Sequence, residues 1–248
     1  MKSCTIKHLP EHLAIEAAAT AREHNPANRP HCGPGVPVLE PLHIALLTSK
    51  YWGPQARTLS VSFTETTPAD LRTRILGHMN AWSQGCGIRF AETKGTGQVR
   101  ISRRRGGYWS YLGTDILHIP ANQPTMNLEA FSMQTPESEY LRVVRHETGH
   151  TLGFPHEHMR QELVARLDAA KTYAYFLRTY GWDRQTVTQQ VLTPLAASSL
   201  MGTSADQTSI MCYQLPATIT KDGKPIPGGT DINTADLAFA GKIYPKVG

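Results

Sequence analysis

The sequence predicts an α+β domain with a cleft beside its second helix. Three observations carry that prediction. Strand-like alternation at Leu59, Val61 and Phe63 leads into a capped amphipathic helix, with short strand patterns after it. A second helix, opened by Thr135-Pro136-Glu137, follows those strands. Beyond Gly153 the chain becomes an irregular, partly helical half, and no internal repeat interrupts the order.

Residues 11–24 form an alanine-rich helical pattern stopped at Asn25-Pro26. From Asn25 to Pro41 the composition shifts to Pro, Gly, Asn and His, the mark of a linker or extended arm. Residues 1–50 are therefore read as a helix plus Pro/Gly-rich arm, a candidate prosegment, and 51–248 as the main domain. Its upper lobe runs to about 153 and its lower lobe covers 154–248. In the upper lobe Thr67 can cap a helix and Pro68 suits its first position, while Leu71, Ile75, Met79 and Trp82 fall on one face. Residues 88–90, 98–102 and 114–120 are expected to be strands. In the lower lobe, helices are expected near 168–179, 183–192 and 234–243, between loops holding Ser198-Ser199 and Pro227-Gly228-Gly229.

Composition excludes several partners. A net charge of +5 is modest, and Arg103-Arg104-Arg105 is too short a basic run, without interleaved aromatics, to argue for nucleic acid. No apolar run approaches the ~20 residues of a membrane span. The N-terminus has no uninterrupted apolar core of a secretory signal. Cys4, Cys32, Cys86 and Cys212 are too scattered for a disulfide scaffold, so composition leaves the compartment undecided. A monomer is expected.

His146-Glu147-Thr148-Gly149-His150 places two imidazoles four residues apart, on one face of a helix, where both reach one metal. Glu147 can face the same water without coordinating. Gly153 permits the positive φ with which a helix ends, and the turn brings His156 back as a third ligand. Three imidazoles with one open position are the donor set of a catalytic zinc rather than a structural one, holding a single Zn2+. The chemistry this implies is hydrolysis, with a zinc-held water deprotonated by Glu147. A methionine turn downstream, at Met211, extends the pattern.

The run from His146 through Gly153-Phe154-Pro155-His156-Glu157 resembles the extended motif HExxHxxGFxHE of the astacin family of metzincins. Ser209-Ile210-Met211-Cys212-Tyr213 is similar to that family's methionine turn SxMHY. Looser matches lie at Gly85 to Phe90, Gly107 to Gly113 and Asp236 to Tyr244. The resemblance implies a metzincin/zincin-like fold: a small twisted sheet and active-site helix above, an irregular helical lobe below, and a cleft between. It also implies an endopeptidase acting on peptide or protein substrates, with His146, His150 and His156 on zinc and Glu147 as general base. Tyr213 would ligate zinc at rest and later stabilise the oxyanion, and an edge strand around 114–119 would pair with extended substrate. Relatives of this kind are secreted, which the resemblance extends to this chain as an expectation; the alternative expectation is a cytoplasmic location.

Three features depart from the family pattern. The family's two disulfides have no partners here, so all four cysteines are expected as free thiols. Cys212 stands where the motif has histidine. Glu157, which in the family contacts the mature N-terminus, is preceded by a long arm. Within that arm Pro30-His31-Cys32-Gly33-Pro34 resembles the inhibitory PRCGxPD motif of matrix metalloproteinase prosegments, which makes Cys32 a candidate inhibitory zinc ligand. Two other functions share the zinc motif: a catalytically silent zinc-binding recognition module, and a zinc amidase on smaller substrates. The first would need neither Glu147 nor Tyr213. An open edge strand favours extended peptides over the second.

Overall fold

Alternation along Arg57–Phe63 buries Leu59 and Val61 on one face and leaves serines toward the other, which fixes how this strand (β2) sits in a sheet. The computed structural model describes residues 4–30, 45, 48–195 and 204–246, and sets β2 in a six-stranded mixed sheet. The other strands are β1 (Cys4–Lys7), β3 (Ile88–Glu92), β4 (Val99–Ser102), β5 (Tyr108–Tyr111) and β6 (Met126–Leu128). Their order is β1-β5-β6-β4-β2-β3. Within this sheet only the β5–β6 pairing is antiparallel; β1 runs parallel to β5 with Cys4 opposite Tyr108 and Lys7 opposite Tyr111.

Two expectations change here. Residues 114–120 are not a strand: Gly113–His118 is a 3-10 helix. Gly113 takes φ +48, and a Cβ there would collide with the Lys50 carbonyl. The chain turns sharply at this point, and Thr114 N–H donates to the same carbonyl at 3.0 Å. The strand beside the cleft is instead β5, one stretch earlier. The first strand of the chain is not near residue 57 either, because β1 in the N-terminal arm already belongs to the sheet and covers the outer side of β5.

Helices follow the sequence reading closely. α1 (Ala14–His24) ends at Asn25, whose side chain accepts from Ala27 N–H at 3.0 Å. α2 (Ala69–Met79) buries Leu71, Ile75 and Met79, and Trp82 continues that face in the 3-10 turn after it. α3 is continuous through three stretches: Glu137–Glu139, a wider-wound π segment Tyr140–Val144, and Arg145–Thr151. π segments of this kind recur at functional sites. Below it, α4 (Ala169–Tyr180) is capped by Asp168 and stopped by Gly181 at φ +71. Arg184–Val187 and the π segment Thr188–Leu192 form α5, and α6 (Thr234–Ile243) opens with a reciprocal Asn233–Asp236 capping box.

Two apolar cores result. The larger lies between the sheet and α2/α3 and includes Trp52, Trp82, Tyr140 and Phe154; the smaller, with Phe176, Val187, Val191 and Leu215, fills the lower lobe, and Tyr213 packs against both. Among the described residues no helix is long and apolar enough to cross a membrane.

The end of α3 is fixed by residues distant in sequence. Trp52 Nε1–H donates to Thr151 O at 2.9 Å, and Tyr244, fully buried, accepts from Trp52 N–H at 3.1 Å while its hydroxyl donates to Leu152 O. Tyr244→Phe leaves a buried donor and a buried acceptor unpaired, each worth ~1–3 kcal/mol. The expected result is a melting temperature lower by several degrees, at ~2–4 °C per kcal/mol for a chain this size. Thermal denaturation of the two proteins checks it.

Candidate metal centre

α3 is buried along the whole stretch that carries the motif, so His146, Glu147 and His150 point into the molecule. Gly153 takes φ +95 and admits no side chain, since a Cβ there would press on Lys50 O and the Tyr51 ring at 3.0 Å. The chain reverses after it, and His156 enters the same space. Ring centroids of His146, His150 and His156 lie 4.6–5.4 Å apart, and one nitrogen of each falls within 4.8 Å of the others.

Main-chain carbonyls orient the first two rings. His146 Nδ1 lies 2.7 Å from Ile210 O and His150 Nδ1 lies 2.8 Å from Phe154 O, which commits those nitrogens as donors and turns each Nε2 lone pair inward. His150 Nε2 and His156 Nε2 meet at 3.1 Å. Such an approach requires a proton or a cation between them. A shared proton would serve that pair alone; His146 Nε2 and both Glu147 oxygens, all buried, would still have no hydrogen-bond partner. A divalent cation suits the whole donor set, and three imidazoles are zinc's usual protein ligands at a catalytic site. Burial lowers His146 to about 4 and holds His150 and His156 well below the usual histidine range, so all three rings are neutral at pH 7. Burial also pushes the Glu147 carboxyl up to about 8, against the opposing pull of the Cys4 thiol and of Arg142.

Below the histidines, the turn at Ser209–Cys212 is held by Asp236. Its carboxylate accepts from Ser209 Oγ at 2.6 Å, Ile210 N–H at 3.0 Å and Asn233 N–H at 3.0 Å. Met211 lies under Gly149, and its carbonyl accepts from Glu157 N–H at 2.9 Å. Tyr213 reaches the cluster from the far side, its ring 4.5 Å from His156 and stacked on His158 at 4.1 Å. Cys212 is buried in the lower core as a small apolar filler.

The three histidines named from the sequence thus converge, together with Glu147, Met211 and Tyr213. Cys32 lies outside the described residues. Cys4, Cys86 and Cys212 are free thiols. Sequence reasoning passed over four residues. Cys4 sits with His146 and Glu147, ligand atoms within 4.8 Å of one another. Gln190 grips the N-terminal strand beside it. His158 accepts from Tyr213 N–H at 3.3 Å and lies 2.9 Å from Gln190 O through its other nitrogen. Asp236 is the buried anchor of the methionine turn. Of these only Asp236 had a local signal, the Asn-x-x-Asp capping box.

Three histidines around one shared point, with a carboxylate at their side, form a donor set suited to a metal ion. The chain belongs to the astacin family of peptidases, whose family model matches residues 46–225. A zinc metalloproteinase of Caenorhabditis elegans, nas-27, is 33% identical over 100 residues, covering 40% of this chain; the match spans 21% of that longer protein. Among solved structures, one of myroilysin superposes with a TM-score of 0.74 at 28% identity over 80% of this chain and 97% of its own. A second structure of myroilysin gives 0.59 at 28% identity over 90% and 96%. A hatching enzyme zinc-protease of the medaka fish Oryzias latipes, at 19% identity and a TM-score of 0.53, shares the fold over 77% of this chain and 90% of its own.

Gly149 has no room for a side chain, because a Cβ would collide with the Met211 sulfur. Gly149→Ala is expected to push the methionine turn away from α3 and with it the Ile210 carbonyl that orients His146. Overpacking of this kind costs ~1–3 kcal/mol. Loss of a carbonyl that orients a ligand weakens metal affinity ~10–100-fold. Thermal melts and a zinc competition titration against a chelator measure the two effects.

Proposed function

We propose that the chain is a zinc-dependent endopeptidase that hydrolyses peptide bonds in extended segments laid along β5. The observation that carries this reading is Glu147: a fully buried carboxylate beside three neutral imidazoles, with no hydrogen-bond partner for either oxygen. A burial of that kind is unfavourable unless the group has work to do there.

His146, His150 and His156 would hold the ion. Zinc in that position supplies Lewis acidity toward a carbonyl oxygen and toward water. Glu147, with its raised proton affinity, takes a proton from the attacking water as the water oxygen bonds to the scissile carbon. It delivers that proton to the amide nitrogen as the C–N bond breaks, so no covalent enzyme intermediate forms. Tyr213 offers a hydroxyl donor to the oxygen on which negative charge develops. Its reach is suitable, because that hydroxyl already donates to a main-chain carbonyl, that of Cys4. With β1 displaced, β5 would become an edge able to orient an extended main chain by strand addition, which favours peptides over compact amides.

Glu147→Gln should keep metal binding and lower turnover of an unstructured protein substrate by ~10²–10⁴, because it removes the base and leaves the ligands. Counting new N-termini by mass spectrometry, beside zinc analysis of the same samples, measures both. Turnover within a few-fold of the parent would overturn the role of Glu147. Tyr213→Phe is expected to lower kcat more than it raises KM, and an unchanged kcat would leave Tyr213 with packing alone. In His156→Ala, elemental analysis should find zinc occupancy well below full; full occupancy would remove the third ligand.

A further inference from the structure

A fourth histidine stands beside the cluster without joining it. His158, fully buried, follows His156 in the 3-10 turn Glu157–Met159. Both of its nitrogens are committed elsewhere. Nδ1 accepts from Tyr213 N–H at 3.3 Å, and Nε2 lies 2.9 Å from Gln190 O, to which it must donate. The two partners fix one neutral tautomer and leave no lone pair for a metal.

The same ring seats the Tyr213 side chain. Their centroids are 4.1 Å apart with 20° between the planes. That contact is closer and flatter than those of Tyr213 with His156, at 4.5 Å and 55°, or with His146, at 6.3 Å and 29°. One side chain therefore holds Tyr213 at its main-chain nitrogen and along its phenol. A flat ring with an acceptor toward one neighbour and a donor toward the other is a combination that histidine alone supplies. The demand on Tyr213 is strict, because a donor to a developing oxyanion works only at hydrogen-bond distance from it. An error of ~1 Å in such a group can cost ~10²-fold in rate.

We propose that His158 is a positioning residue for Tyr213: it sets the plane of the phenol and the place of its hydroxyl, and touches neither metal nor substrate. Gln190, by accepting from Nε2, holds the imidazole in the tautomer that leaves Nδ1 free to accept.

For its kinetic consequence this role rests on the peptidase reading; for its geometry it does not, and the experiment separates the two. Full-length, zinc-loaded protein is labelled with 3-fluorotyrosine, and the Tyr213 fluorine resonance is assigned by its loss in Tyr213→Phe. His158→Ala is expected to shift and broaden that resonance. His158→Phe keeps the ring without the nitrogens and should move it less; it carries the same readouts if the alanine variant fails to fold. Zinc affinity, by competition with a chelator, should stay close to wild type in both. On an unstructured protein substrate, His158→Ala should lower kcat by about tenfold with little change in KM, inside the ~10²–10³ that loss of an oxyanion donor costs. In a Tyr213→Phe background the same substitution should cost less than about twofold, since the hydroxyl it positions is already gone. An equal loss in both backgrounds, or an unmoved fluorine resonance, overturns the role. So does a fall in zinc affinity as large as that of His156→Ala, which would make His158 a support of the ligands instead. A displaced resonance with no hydrolysis by wild type supports the seating of Tyr213 and counts against the peptidase reading.

Discussion

Two ring nitrogens 3.1 Å apart in a dry interior set the terms for everything around them. Imidazoles are brought that close only where a positive charge lies between them, and the surrounding protein must hold them there against their mutual repulsion. Carbonyls of Ile210 and Phe154 do this for His146 and His150. Each of those carbonyls belongs to a turn with its own supports. The Ile210 turn hangs on Asp236 at the start of α6, and the Phe154 turn hangs on Gly153, which the Lys50–Tyr51 segment overlies. Metal affinity therefore depends on the packing of both lobes, although the three histidines all lie between positions 146 and 156.

The order of elements makes that arrangement legible. A metal motif with ligands at 146, 150 and 156 is local information, and so are the capped helices 69–79, 169–180 and 234–243. The strands at 57–63, 88–92 and 99–102 are readable from alternation. What is not readable depends on pairing across long stretches of chain. Cys4-Thr5-Ile6-Lys7 is too short to declare itself a strand, and its partner lies far along the chain at Tyr108–Tyr111. The segment 114–120 has the β-branched and apolar character of a strand, yet Gly113 and a hydrogen bond to Lys50 wind it into a 3-10 helix. Its place in the sheet is taken by a Tyr-Trp-Ser-Tyr run that the eye assigns to a motif rather than to an edge. Among the cysteines, a Pro/Gly context draws attention to Cys32, whereas Cys4 has no sequence context at all. Its neighbourhood is made by the fold.

Coupling between the lobes runs through few side chains. Tyr213 packs against both cores, His158 stacks beneath it, and His158 in turn meets the carbonyl of Gln190, whose side chain holds Ile6. The same short chain of contacts thus links the phenol beside the histidines to the N-terminal strand. A shift at one end has a direct mechanical route to the other, without passing through the metal.

β1 also protects the sheet itself. It is the outermost strand and lies against the one strand pair of the sheet that reverses direction, so β5 carries no free row of main-chain donors and acceptors while β1 is in place. Without β1, that row would be bare and flanked by Tyr108, Trp109 and Tyr111, a template for any extended chain, including another molecule of the same protein. A molecule lacking β1 would therefore carry a colloidal hazard that the intact chain does not. Its solubility falls to the charges around the rim, with Arg103, Arg104 and Arg105 just before β5 as the natural gatekeepers against edge-to-edge association.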